Sequence, residues 1–425
     1  MTADATLRRL GLVAGALWVL PAAAQVDQER AAQYFAEAAA LCEREAGRLW
    51  GVSLCGPMVF ADAATSTIAT NQPAPSAPRP VILGFANAAM DWGGTRWATF
   101  VWPMLAAAAP PDRARLMLHE LFHRIQPQLG LIVADRPNDH LETADGRYWL
   151  QLEWRALASA LASRGAERTG AVSEALAFRA RRRSLFPDAA ERERLLEVQE
   201  GLAQYTGTVA AAADTAEAIA SAIEQLTKAP QYETFLRTFA YPSGAAYGIL
   251  LDAWSPGWTR RIKATDDLGA MLAAAANVVP TSNVDSAAGR YDGPVLRIAE
   301  EQRAERHKLR VAELRRRFVE GPVLVMPRAP VASFVSSGIT QIPGAGTVVP
   351  TYRATGPWGR LEATSVLVAP DQSTLTVPAG GLTRGKTITG DGWTLELAPG
   401  WELRAGARAG DYQVVRDTGP SRPND

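Results

Sequence analysis

Apolar residues recur at helical spacing through the middle of this chain and give way to short alternating runs towards its end. The first periodic stretch, 29–48, has apolar positions at Ala32, Tyr34, Phe35, Ala38, Ala39 and Leu41 and predicts a helix. Three strand-like runs follow at 56–61, 81–85 and 96–102, the first two separated by the Pro- and Ala-rich segment 72–80. From 113 to about 318 the period is mainly helical. Helices are expected at 113–126, 146–162, 168–185, 189–206, 213–227, 231–239, 244–254, 268–276 and 294–318. Pro127, Pro187, Pro230, Pro256 and Pro280 punctuate them, and 279–293 reads as a polar connection. Near Glu320 the pattern changes to short strands with Gly/Pro turns, at 323–326, 346–352, 361–367, 375–377, 393–397, 401–404 and 412–416. The fold class expected is α+β: a small N-terminal strand region (25–110), a mainly helical domain (111–318) and a small all-β module (319–417). The tail, 418–425, is expected to be disordered.

Residues 1–24 read as a cleavable export signal. Arg8 and Arg9 precede an apolar run over 10–20 that is too short to span a bilayer, and Ala22, Ala23 and Ala24 fit a small-residue cleavage site. This places the mature chain in the periplasm or outside the cell, with no transmembrane segment. The two cysteines, Cys42 and Cys55, are then expected to close one disulfide. Lys+Arg and Asp+Glu balance at 44 each, which argues against a broad nucleic-acid surface. The arginine clusters 181–183 and 315–317 lie on expected helices among acidic residues and read as solvated faces.

The chemistry concentrates at 118–123, Leu-His-Glu-Leu-Phe-His, an H-E-x-x-H sequence inside the helix expected at 113–126. Residues four apart share a helix face, so His119 and His123 are able to hold one metal ion. Glu120 sits one step round, where it can take a proton from a water at the metal. The chain has four histidines, and two fall in this window. Leu116, Leu121, Phe122 and Ile125 supply apolar surface to bury the helix. A catalytic zinc site needs a third protein ligand. His140 and His307 match no trusted spacing, and Gln126 and Leu129 occupy the positions where a metzincin has Gly and its third His. A glutamate is expected instead, with Glu142, Glu153, Glu197 and Glu200 as candidates. Glu200 lies in Glu-Gly-Leu-Ala on a helix, where Gly201 and Ala203 permit close approach to the histidine helix. Glu153 is also read as an acceptor behind a ligand imidazole.

His119, Glu120 and His123, followed by Glu200-Gly201-Leu202-Ala203, resemble the gluzincin metallopeptidases of the thermolysin and aminopeptidase type. Tyr241-Pro242-Ser243-Gly244 is similar to the Tyr-x-x-Gly of the aminopeptidase branch. The resemblance covers roughly 97–254 and implies a thermolysin-like helical domain, with Zn2+ held by His119, His123 and Glu200. It further implies Glu120 as general base, Tyr241 as donor to the oxyanion, and a peptide or protein substrate. In that family a strand placed like 97–102 borders the cleft. Glu142 has the shorter spacing of the aminopeptidase branch but stands in a loop-like context. Two departures stand out: 76 residues separate His123 from Glu200, and Gly84–Asp91 does not reproduce the G-x-M-E-N stretch that binds a substrate's amino terminus. Two further functions remain open at this point, a non-catalytic zinc-containing scaffold or binding protein and a zinc hydrolase of a non-peptide substrate.

Overall fold

The computed structural model describes residues 25–80, 83–134, 136, 138–334 and 338–417. The signal and tail expectations, 1–24 and 418–425, lie outside the described residues. Within them the chain is α+β, as expected. The helices are α1 (Gln28–Glu45), α2 (Trp102–Ala107), α3 (Pro110–Ile125), α4 (Ala144–Ala162), α5 (Gly165–Leu185) and α6 (Ala189–Leu196). They continue as α7 (Leu202–Ala211), α8 (Thr215–Lys228), α9 (Ala240–Trp254), α10 (Leu268–Ala276), α11 (Val284–Arg290) and α12 (Gly293–Arg315). Four N-terminal strands, β1 (Met58–Asp62), β2 (Thr67–Thr70), β3 (Ala88–Trp92) and β4 (Thr95–Val101), form one sheet in the order β2-β1-β4-β3.

Local chemistry explains the key boundaries. Asp27 caps α1 by accepting from the backbone N–H groups of Glu29 and Arg30. Pro110 opens α3, where a missing N–H costs nothing, and Asp112 lies in its first turn, favourable to the helix dipole. α3 is buried along Met117, Leu118, Leu121, Phe122 and Ile125, and it carries His119 and Glu120 into the interior with them. Apolar residues of α1, β1 and β4 share one core with the helices, whereas the strands from Val323 onward close around their own core of Leu324, Tyr352, Trp358, Leu361, Leu375 and Trp393. No helix among the described residues is long and apolar enough to cross a membrane.

Several expectations are corrected. The run at 81–85 is not a strand: Leu83 and Phe85 lie in a turn, and residues 81 and 82 are outside the described set. The strand is β3, which pairs antiparallel with β4. No helix forms over 231–239, because the backbone N–H of Phe235 and the hydroxyl of Thr234 both donate to Glu142 instead of closing helical turns. The connection 279–293 contains the short helix α11, capped by Asn283.

Beneath α6 and α7 lies a buried network of charges. Arg179 on α5 holds Glu197 bidentately, at 2.7 and 2.5 Å, and also meets Glu153 and Asp267. Arg182, expected on a solvated face, is instead fully buried and pairs with Glu153 and with Glu193, and the Tyr247 hydroxyl donates to Glu153 at 2.7 Å. Removing one member of such a set strands a buried charge, at about 3–5 kcal/mol. Glu197 begins a π-turn, Glu197–Gly201, that links α6 to α7. On the other side α7 presses against α9. A Cβ on Gly244 would stand 2.2 Å from the Gly201 Cα, so the two backbones touch.

Two outcomes are expected from this packing. Gly244→Ala forces α7 and α9 apart and lowers stability by at least about 1–3 kcal/mol in urea unfolding; an unchanged midpoint would contradict the contact. Cys42 and Cys55 form a disulfide, with Cα atoms 5.3 Å apart, that ties the end of α1 to the chain entering β1. Mass spectrometry of non-reduced peptides should show the linked pair, and its loss in a double Ser variant should cost about 2–4 kcal/mol. Two freely alkylated thiols in exported protein would rule it out.

Candidate metal centre

Two elements bring the candidate ligands together. α3 supplies His119 and His123 from adjacent turns, and the π-turn before α7 supplies Glu200. The two histidine Nε2 atoms lie 3.1 Å apart, and Glu200 Oε2 lies 3.4 Å from His119 Nε2 and 3.5 Å from His123 Nε2. Ligands bound at 2.0–2.1 Å around a tetrahedral ion stand about 3.3 Å from one another. The triangle therefore has the dimensions of one face of a tetrahedral site. These are the atoms that group as a potential metal site among the described residues.

The hydrogen bonds behind the rings fix their tautomers. His123 Nδ1 lies 2.8 Å from Gln126 Oε1. The Gln126 amide cannot be turned round, because its Nε2 donates to the Leu131 and Val198 carbonyls. His119 Nδ1 lies 3.1 Å from Gln204 Oε1, and Gln204 Nε2 donates to Gln225 Oε1 at 2.6 Å. Both Nδ1 atoms therefore donate to a glutamine, which leaves Nε2 of each ring as the atom that faces the Glu200 carboxylate. Two Nε2 atoms converging on one carboxylate oxygen call for a cation between them, a proton or a metal ion, and this donor set suits zinc.

Without a metal, a proton on His123 meets that demand. Burial pulls the His123 imidazole down, but its hydrogen bond to Glu200 and the charges of Glu120 and Glu200 outweigh that and hold it at about 9. Burial pushes the Glu200 carboxyl up, and the two histidines carry it well below the usual carboxylate range. Glu120 behaves oppositely: burial raises it above the ordinary value against the pull of both histidines. Its Oε2 is buried with no hydrogen-bond partner among the described residues. Tyr241, in the first turn of α9, stacks on the His119 ring at 5.6 Å and 9°. Burial and the adjacent Glu200 carboxylate raise its phenol, so it stays a protonated donor.

The other glutamates are spent elsewhere. Glu142 accepts from Thr234, Phe235 and Arg303. Glu153, expected also behind a ligand imidazole, is instead held by Arg179, Arg182 and Tyr247, and Glu197 by Arg179. His140 pairs with Glu193 at 2.8 Å, away from the centre. Sequence reasoning missed the two glutamines behind the ligand rings and Arg237, which donates to Glu200 Oε1 at 3.0 Å from the exposed side. A periodicity signal existed for the glutamines: Gln126 is three residues after His123, and Gln204 is four after Glu200.

The centre opens into a cleft of about 850 Å³. Strand 97–102 does not border it as an edge, because β4 is flanked by β1 and β3. The edge strand is β3, and Ala88 and Ala89 line the cleft. Phe85, Met104, Ile132 and Phe334, all exposed large apolar side chains, line it from four segments, the last from the C-terminal module. No protein-family model, curated protein or solved structure matches the chain.

Proposed function

We propose that the chain is an exported zinc-dependent metallopeptidase. The observation that carries this reading is the convergence of two Nε2 atoms and a carboxylate oxygen at tetrahedral spacing, beside a buried glutamate with an uncommitted oxygen. His119, His123 and Glu200 would hold the ion. Zinc bound there supplies Lewis acidity, polarising a carbonyl and lowering the pKa of a water.

Glu120 is the proton carrier. Its raised pKa brings its basicity closer to neutral pH, and its free Oε2 can accept a proton from water and return it to a leaving amine. Glu120 also weighs against a purely structural metal site, which needs no buried, unpartnered carboxylate. Tyr241 keeps its proton and stands against the ligand ring, where it can donate to the oxygen of a tetrahedral intermediate. Arg237 neutralises the outer oxygen of Glu200 and leaves Oε2 to face the histidines. Support for a peptide substrate comes from the cleft: the open edge of β3 offers backbone hydrogen bonds to an extended chain, and the apolar rim offers contacts for its side chains.

The ligand and base roles separate cleanly in variants. Glu200→Gln should lower zinc content in metal analysis, since a neutral amide is a poor replacement for a bound carboxylate. Glu120→Gln should keep the zinc and lose about 10²–10⁴ in peptide hydrolysis. Glu142→Gln should retain zinc; if it loses zinc while Glu200→Gln keeps it, the ligand assignment fails. If all three leave zinc and hydrolysis intact, the metallopeptidase reading fails.

Tyr241→Phe tests the donor. Zinc content should be unchanged and kcat should fall by about 10²–10³. An unchanged kcat would reduce Tyr241 to a packing residue of α9.

A further inference from the structure

A second cavity, of about 490 Å³, lies between α12, α4 and the start of the C-terminal module at Ile339 and Thr340. It is separate from the metal cleft and is lined by four arginines. Arg303, Arg306 and Arg310 recur at spacings of three and four on α12, so they share one face over about 10 Å. Arg147 enters from α4 and is 2 % exposed.

The two inner arginines are incompletely satisfied. Arg147 stacks on the Phe235 ring at 3.3 Å and gives its Nε to Glu300 at 3.0 Å. Its Nη1 is buried with no hydrogen-bond partner among the described residues. Arg303 gives Nη2 to Glu142 and to the Glu233 carbonyl, and its Nη1 is likewise buried and unpartnered. Arg306 and Arg310 are exposed and make no ion pair among the described residues. A buried N–H without an acceptor costs about 1–3 kcal/mol, so folded chains rarely leave two in one cavity unless something else accepts from them.

We propose that this cavity is a binding site for a multivalent phosphate ligand, held by Arg147 and Arg303 at its floor and by Arg306 and Arg310 at its mouth. The guanidinium fork matches phosphate oxygens in pairs. Glu142, Glu233 and Glu300 also line the cavity; Glu300 pairs with Arg147 and Glu142 with Arg303, which leaves Arg306 and Arg310 without a carboxylate partner among the described residues. The stripe of about 10 Å suits a ligand with two phosphate groups. Burial, with the neighbouring Arg303, holds the Arg147 guanidinium down at about 10 against the pull of Glu300 and Glu142. The ligand would bridge the helical body and the C-terminal module. The site does not depend on the metallopeptidase reading.

The test uses the full mature chain with its metal and fructose 1,6-bisphosphate as the probe, followed by calorimetry at fixed ionic strength. Citrate and sodium chloride are the controls. Saturable one-to-one binding is expected, with a rise in unfolding midpoint that follows occupancy. Arg306→Gln/Arg310→Gln alters exposed positions only and should weaken binding at least tenfold with zinc content unchanged. Arg303→Gln should weaken it further. The proposal is overturned if the wild type shows no saturable binding, if the double variant binds as well as wild type, or if citrate binds as tightly as the bisphosphate.

Discussion

The bidentate pair between Arg179 and Glu197 holds the point on which the candidate centre turns. Glu197 starts the π-turn that joins α6 to α7, and Glu200 lies within that same turn. A π-turn inserts an extra residue in a helical rod, and such turns cluster at functional sites. Here its first residue is clamped to α5 by a buried arginine, and its last residue, Gly201, is pressed against Gly244 of α9. Glu200 is thereby held from both sides and directed at α3. The clamp is itself held, because Arg179 also meets Glu153 and Asp267 and the Tyr247 hydroxyl reaches Glu153. Such a network is a poor source of net stability, since burying its charges offsets most of their attraction. Its effect is geometric. It allows one arrangement of α5, α6 and α9 around the π-turn.

The centre follows the same logic of opposed constraints. Each of the two imidazoles is fixed by a glutamine whose own orientation is set by a further partner: backbone carbonyls for Gln126, another glutamine for Gln204. Rings held in this way keep Nε2 aimed at Glu200 and would lose little conformational entropy on binding an ion. Glu120 is the exception in this crowd of satisfied groups. It is the buried carboxylate at the centre with an oxygen left uncommitted, and that loose end is what a proton carrier requires.

The cleft depends on parts of the chain remote from one another in sequence. β3 supplies an open edge, α2 supplies Met104, and Phe334 comes from beyond α12. The C-terminal module, with a core of its own, therefore contributes a wall to the site while folding around separate side chains.

Period and motif in the sequence carried the α+β class, the boundaries of α1, α3, α4, α5 and α10 to within a few residues, and the change to strands after α12. These follow from local rules: apolar spacing, proline, and capping by residues such as Asp27. The pairing of His119 with His123 was also legible, because four residues on a helix is a local distance. The choice of Glu200 over Glu142 rested on Gly201 and Ala203 as marks of close approach to α3; Gly201 instead meets Gly244 of α9, and α7 nears α3 at Gly207, whose Cβ would stand 2.5 Å from the Arg115 carbonyl oxygen. What stayed hidden were effects of partners distant along the chain. The segment 231–239 has a helical pattern yet unwinds to donate to Glu142. β3 hides in a weakly patterned stretch that becomes a strand because β4 pairs with it. Glu153 and Glu197 have the same chemistry as Glu200, and only the positions of Arg179 and Arg182 in space decide that they are spent on arginines. The sequence determines which groups are available and which local elements carry them. The tertiary structure decides which carboxylate meets a histidine and which meets an arginine, because that depends on desolvation and distance, and neither is a property of neighbours along the chain.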